Sequence, residues 1–113
     1  MKVKIISLSK NEDFKKILSG TRINCKYVTI CFKNIYSKNL GSVNISFITK
    51  KKIGNAVVRN KIRRRLKNIM NDALKVIKIN KKYSYLFIAK KNVFDDEYNI
   101  IKEHIYKDLE KIK

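Results

Sequence analysis

The stretch KKKIGNAVVRNKIRRRLK, residues 50–67, places nine basic side chains on one glycine turn and the segment after it. Like charges at this density repel one another, so a folded chain retains them chiefly where a polyanion binds. Asn55 is a suitable N-cap, which predicts a long helix from about Ala56 to about Ile77. The apolar stripe of that helix has helical spacing and consists of Val58, Ile62, Leu66, Ile69 and Ala73.

The cationic residues of this helix fall on the side away from the apolar stripe. At ~100° per residue, the residues opposite the stripe are Asn60, Arg63, Arg64 and Lys67, with Arg59 and Arg65 at its edges. Basic residues on an amphipathic helix usually form a solvated face, but such a face normally includes acids. No acidic residue occurs between Asp13 and Asp72. The pattern therefore favours a nucleic-acid surface, for which guanidinium groups offer bidentate phosphate contacts.

Composition bounds the remaining possibilities. The 113 residues suit one domain, and the formal charge of +19 suits a polyanionic partner. Cys25 and Cys31 fall in one predicted strand, too far apart for a disulfide, and are expected to be free thiols in a reducing compartment. His104 is the single histidine, so a zinc site is not expected. No signal sequence or membrane-length apolar run is present, which predicts a soluble cytoplasmic protein.

Helix signals occur before the basic block. Ser9 and Glu12 have the spacing of a capping box. The helix they begin has an apolar stripe of Phe14, Ile17 and Leu18, and Gly20 is expected to end it in a left-handed conformation.

Alternating residues then predict strands. In the first, over residues 25–32, Cys25, Tyr27, Thr29 and Cys31 face one side, and Val28, Ile30 and Phe32 face the other. After a loop at residues 34–41, a second strand covers residues 43–47.

The C-terminal half continues the mixed pattern. Residues 83–89, YSYLFIA, form the strongest strand candidate. A final helix is predicted from about Asp95, with three acidic residues in its first turn. Its apolar stripe is Tyr98, Ile101, Ile105, Leu109 and Ile112. The alternation of helices and strands indicates an α+β domain.

The basic block resembles the hallmark of the protein subunit of bacterial ribonuclease P. That hallmark is a lysine pair, a Gly-Asn-Ala-Val run, then Arg-Asn followed by Lys-Arg two residues on, and Arg63 stands here in place of that lysine. It stands here as Lys51-Lys52-Ile53-Gly54-Asn55-Ala56-Val57-Val58-Arg59-Asn60, followed by Lys61-Ile62-Arg63-Arg64 and Lys67. The segments LSKNEDFKKILSG, residues 8–20, and YLFIAKK, residues 85–91, are similar to the first helix and last strand of that family. The resemblance thus covers nearly the whole chain.

The resemblance implies a single RNA-binding domain over residues 1–113. Its fold would be an αβββαβα-like sandwich with one mixed sheet packed by helices. The basic helix would lie in a left-handed β-α-β crossover, where general rules expect a right-handed one.

The implied function is assistance to a catalytic RNA that removes the 5′ leader from precursor tRNA. The partners would be the ribonuclease P RNA and precursor tRNA, without membrane or DNA. The chain would bind no cofactor itself, although the RNA holoenzyme requires Mg²⁺. No catalytic residue or metal ligand is expected in this chain. The residues expected to bind the RNA are Lys51, Lys52, Asn55, Arg59, Asn60, Lys61, Arg63, Arg64, Arg65 and Lys67.

A second surface is expected to bind the leader. Its candidate residues are Phe14, Lys15, Tyr27, Thr29 and Cys31, lining a cleft where bases stack. The alternative is that Phe14 and Tyr27 belong to the core.

Three other functions remain open on the residues alone. A structural RNA-binding protein of the ribosomal kind would explain the charge, but not the specific block. A helix-turn-helix regulator would place the basic helix in a DNA groove, against which the surrounding strands argue. A self-sufficient nuclease would need acids and bases that the sequence does not supply.

Overall fold

The computed structural model describes residues 4–6, 11–34, 42–80 and 82–112, without the side chains of residues 4–6, 11–14 and 42. The elements, in chain order, are β1 (Lys4–Ile6), α1 (Asn11–Leu18), β2 (Thr21–Asn24), β3 (Val28–Asn34), β4 (Ser42–Ile48), a 3₁₀ turn (Lys51–Ile53), α2 (Ala56–Val76), β5 (Tyr83–Ala89), α3 (Asn92–Asp95) and α4 (Tyr98–Glu110). The expected capping residue Ser9 and most of the loop at 34–41 lie outside the described residues.

The strands form one mixed sheet in the order β1-β4-β5-β3-β2. The pairs β1–β4 and β4–β5 are parallel, whereas β3–β5 and β2–β3 are antiparallel. The predicted α+β class is therefore confirmed, and three strands lie between α1 and α2, as the resemblance implied. Helix α2 connects the parallel neighbours β4 and β5. The left-handed sense of this connection stays a prediction.

Each face of the sheet packs against different helices. Because side chains alternate along a strand, Ile30 of β3 and Phe87 of β5 share one face and pack with α2 and α4 in the main core. Cys31 and Leu86 point to the opposite face, where Ile17 of α1 covers them. Helix α1 thus lies on the face opposite the basic helix.

The helices and the strand predicted from the spacing of apolar residues in the second half of the chain are confirmed. Helix α2 spans Ala56–Val76 and β5 spans Tyr83–Ala89. The predicted stripe of α2 is buried apart from Val58, which is partly buried against the core, and Met70 is buried as well. The stripe of α4 also faces the core, with Tyr98 and Ile112 partly buried at its ends.

The single strand predicted over residues 25–32 is wrong. The chain reverses between β2 and β3, and the Cys25 amide donates to the Val28 carbonyl at 2.9 Å. Residues distant in the sequence stabilise the turn by hydrogen bonds. The Lys90 amide donates to the Tyr27 carbonyl at 3.0 Å, and Asn92 Nδ2 donates to the Lys26 carbonyl at 2.9 Å. Residues 25–28 contain no glycine or proline that would have announced this reversal.

The predicted ends of two helices also require correction. Gly20 does not adopt the left-handed conformation; instead, a Cβ there would lie 2.5 Å from the Phe32 carbonyl oxygen, so glycine permits close packing of α1's end on β3. The expected C-terminal helix is two helices, α3 and α4. Asp96 and Glu97 lie between them rather than in one continuous first turn.

Candidate nucleic-acid interface

The basic helix α2 starts at a position fixed by two neighbouring residues. Asn55 caps it as predicted, with its Oδ1 accepting from the Val58 amide at 3.0 Å. Gly54 precedes the cap, and a Cβ at that position would lie 2.9 Å from Val58 Cγ1. The Gly-Asn pair therefore lets the chain pass close to the first turn of the helix.

Four polar side chains form what we call the basic face of α2. They are exposed, lie on the side away from the core, and are Asn60, Arg63, Arg64 and Lys67. Lys51 and Lys52, in the 3₁₀ turn before the helix, are exposed as well, and so is the capping residue Asn55. The structure thus brings seven of the ten predicted RNA-binding residues to the solvent.

Arg63 is oriented by two neighbours. Its Nη1 donates to Thr49 Oγ1 at 3.2 Å, and its Nη2 donates to Asn60 Oδ1 at 2.5 Å. Thr49 follows β4 and is largely buried. A guanidinium held at both ends loses less conformational entropy when it binds a ligand.

Arg65 points toward the protein, unlike Arg64 beside it. It is half-buried, and its Nη1 donates to the carbonyl oxygens of Val93 at 3.0 Å and Asp96 at 2.8 Å. These bonds tie α2 to α3 and to the segment after α3. The predicted RNA contact of Arg65 stays untested, but its guanidinium already has partners within the chain.

Lys61 and Arg59 are also half-buried. The Lys61 ammonium lies 4.7 Å from the centre of the Phe94 ring, a cation–π contact that again joins α2 to α3. Arg59 Nε is buried and has no hydrogen-bond partner among the described residues. The two side chains are therefore less available than the basic face.

The charge of the basic face is not neutralised internally. In the described parts of the chain, the ion pairs are both made by Asp72, with Lys75 at 4.0 Å and with Lys102 at 3.1 Å. Asp72 lies farther along α2, beyond the basic face. Among the described residues, no acid pairs with the cations of this face, and their mutual repulsion is unfavourable in the isolated protein.

The expected leader-binding residues do not come together at one open surface. Tyr27 and Cys31 are fully buried, and they pack in different clusters on opposite faces of the sheet. Their expected positions in a cleft are therefore wrong, because the hairpin turn at residues 25–28 changes the alternation that placed them together. Lys15 is exposed and Thr29 is half-buried. Phe14 lies on α1, and its side chain is outside the described residues.

Tyr27 has a structural environment instead. Its hydroxyl donates to Asp96 Oδ2 at 2.7 Å, and its ring packs in a T-shaped arrangement with the ring of His104, with centroids 5.5 Å apart. Burial, followed by the bond to Asp96, raises the pKa of Tyr27 to about 12. This side chain is therefore a neutral member of the core.

Comparison with known proteins agrees with this architecture. The family model described as Ribonuclease P matches residues 3–113. The chain belongs to the ribonuclease P protein family. Among curated relatives, the ribonuclease P protein component of Carboxydothermus hydrogenoformans is 39% identical over 102 residues, covering 87% of this chain and 83% of the relative. That of Fusobacterium nucleatum is 32% identical over 106 residues, covering 93% and 87%.

Solved ribonuclease P proteins have the same fold. The protein from Thermotoga maritima superposes with a TM-score of 0.79 at 21% identity, covering 96% of this chain and 98% of that one. The role of this family, shown by the family model and the curated relatives, is processing of the 5′ end of tRNA within an endoribonuclease complex that includes an RNA subunit.

Two residues of the candidate interface, Thr49 and Val57, were not predicted from the sequence. Thr49 comes before the basic block, and nothing in its local sequence relates it to Arg63. Val57 is 73% exposed and borders Asn60, Arg63 and Arg64. Val57 could have been identified from the sequence, because it lies off the apolar stripe of α2 and a valine there does not pack in the core.

Proposed function

We propose that the basic face of α2, with Lys51 and Lys52, binds the ribonuclease P RNA subunit directly. The observation that carries this proposal is the exposed cluster of cations on one rigid helix without a neutralising acid among the described residues. Phosphates would supply the missing negative charge, and Arg63 and Arg64 would offer forked donors to them. Binding would release counter-ions and therefore weaken steeply with added salt.

The protein's contribution to cleavage would be electrostatic and positional. The RNA subunit would carry out the hydrolysis, and Mg²⁺ bound by that RNA would supply the chemistry. The described residues contain no group of three or more His, Cys, Asp or Glu side chains suited to a metal ion. The cations of α2 would instead reduce repulsion between RNA segments, so that less magnesium is needed for the holoenzyme to fold and bind its substrate.

We further propose that the 5′ leader of precursor tRNA lies along the sheet face that carries α1. A row of side chains crosses four strands there: Asn24 is paired with Thr29, Thr29 with Ile88, and Ile88 with Ile48. All four are half-buried or exposed. Together with the exposed Lys15 on α1 and with Lys90, whose ammonium donates to Asn24 Oδ1 at 2.7 Å, this row would offer apolar contact and positive charge to single-stranded RNA.

The compartment follows from the partners. A protein that works with ribonuclease P RNA and precursor tRNA is expected in the bacterial cytoplasm. No helix within the described ranges has the length and apolarity to cross a bilayer.

The deciding experiment is cleavage of precursor tRNA by a ribonuclease P RNA at low magnesium, with and without the protein. We expect the protein to stimulate release of the 5′ leader, and Arg64→Ala to reduce that stimulation while remaining folded. Binding to the RNA without stimulation would favour a structural RNA-binding protein. Cleavage by the protein without RNA would indicate a nuclease. The first result would reject the proposed assistance to cleavage, and the second would reject the assignment of the chemistry to the RNA.

A further inference from the structure

A shallow surface pocket interrupts the basic face of α2. Its volume is about 470 Å³, and it is lined by Val57, Asn60, Arg63 and Arg64. These four residues lie on successive turns of the same side of the helix. Val57 is 73% exposed, so an apolar side chain is presented to solvent beside two exposed arginines. The core does not require it, since the buried stripe of α2 lies on the other side.

The chemistry of this pocket differs from that of a phosphate site. A phosphate needs N–H donors around its oxygens, and the methyl groups of Val57 provide none. A nucleobase that has left its stack has an apolar, polarisable face and a polar edge. Guanidinium planes and aliphatic side chains cover such a face, whereas an amide serves the edge.

The polar side chains around Val57 are positioned to contact a nucleobase. Arg63 is fixed by Thr49 Oγ1 and by Asn60 Oδ1, so its plane is set before any ligand arrives. With its oxygen accepting from Arg63, Asn60 can present its Nδ2 donor to a base. Arg64 is exposed on the other wall and can close over a planar group.

We propose that this pocket binds one unstacked nucleobase of the ribonuclease P RNA. Val57 and the guanidinium of Arg64 contact the face of the base, and Asn60 donates to its edge. The surrounding cations meanwhile hold phosphates. This inference rests on the proposed binding of the RNA subunit to α2, and it adds a base-reading element to a surface otherwise suited to backbone phosphates.

The test compares Val57→Ser with Val76→Ser. Val76 lies at the other end of α2 and is 71% exposed, so it is a matched control outside the pocket. Affinity for the RNA is measured by filter binding over a range of salt concentrations. Val57→Ser should lower affinity about tenfold, the effect of withdrawing two methyl groups from an apolar contact. The slope of affinity against salt should not change, because no phosphate contact is removed.

Chemical probing gives the second readout. Base-directed reagents should show a nucleobase that wild-type protein and Val76→Ser protect and that Val57→Ser leaves reactive, while the hydroxyl-radical footprint of the backbone stays the same. If Val57→Ser matches Val76→Ser in both affinity and base protection, the pocket proposal is rejected while RNA binding by α2 stands. If wild-type protein does not bind the RNA at all, the proposed function itself fails.

Discussion

Arg64 and Arg65 are adjacent in sequence but serve different purposes in the structure, and replacing each by alanine separates binding from stability. Arg64 is exposed on the basic face, whereas Arg65 donates to two backbone carbonyl groups near α3. Each substitution removes one positive charge and one guanidinium from the same helix. Differences between the two variants therefore report where the side chain points.

Arg65→Ala should destabilise the fold. Two charge-assisted hydrogen bonds are lost and the carbonyls of Val93 and Asp96 lose their partner, but the site is only half-buried and water can replace part of the loss. We therefore expect a decrease in the free energy of unfolding of about 2 kcal/mol. For a domain of this size, that corresponds to a melting temperature lower by roughly 8 °C.

Arg64→Ala should leave stability within about 0.5 kcal/mol of wild type, because an exposed cation among other cations is removed. Its RNA affinity should fall about tenfold, and the slope of log affinity against log salt should decrease in magnitude by about one. Arg65→Ala should retain the wild-type slope. Urea unfolding without RNA measures the first quantity, and filter binding well below both melting temperatures measures the second.

Two outcomes would contradict these roles of Arg64 and Arg65. If Arg65→Ala is as stable as Arg64→Ala, the bonds to α3 contribute nothing to the fold. If Arg65→Ala changes the salt slope as much as Arg64→Ala does, its guanidinium leaves α3 to contact phosphate, and the assignment of Arg65 to the protein interior is wrong.

Three further outcomes are expected. Thr49→Val removes the Nη1 partner of Arg63 and should lower RNA affinity about threefold with an unchanged salt slope; an unchanged affinity would show that Thr49 does not orient Arg63. Burial, as the largest cause, raises the pKa of the Cys25 thiol from 9.0 to about 11, so thiolate forms first in the unfolded chain. Urea unfolding between pH 9 and 11 should therefore show wild type losing stability faster than Cys25→Ala, and parallel curves would contradict this. Phe14→Ala should weaken binding of leader-bearing precursor tRNA more than binding of mature tRNA, whereas Phe94→Ala, a packing control near α2, should affect both equally; equal losses for Phe14→Ala would indicate a packing defect.

The basic helix was predictable because its determinants are local. Asn55 caps the first turn through a bond to Val58, three residues away, and the stripe from Ile62 to Ala73 repeats at the helical period. The same helical period predicts that the Arg64 side chain points away from the core. Strand β5 was equally clear, since a continuous apolar run of seven residues suits a strand that is buried along most of its length.

Two features could not be obtained from local pattern. The hairpin turn at residues 25–28 has no turn-forming residues, and its alternation continues through the reversal. Arg65 belongs to a run of three arginines that are alike in the sequence. Alternation along one strand placed Tyr27 in an open cleft, and the resemblance of the whole basic block grouped Arg65 with the RNA-binding residues, although the helical period placed it at the edge of the apolar stripe.

By itself, the sequence determined that this chain has a capped cationic helix whose basic side lies opposite its core. Only the tertiary structure decided which polar groups face inward. Tyr27 bonds to Asp96, which is 69 residues away in the sequence. Arg65 bonds to the carbonyl of Val93, which is 28 residues away. The physical reason is that a buried hydrogen-bonding group must find a partner wherever the fold supplies one, and sequence separation does not limit that choice.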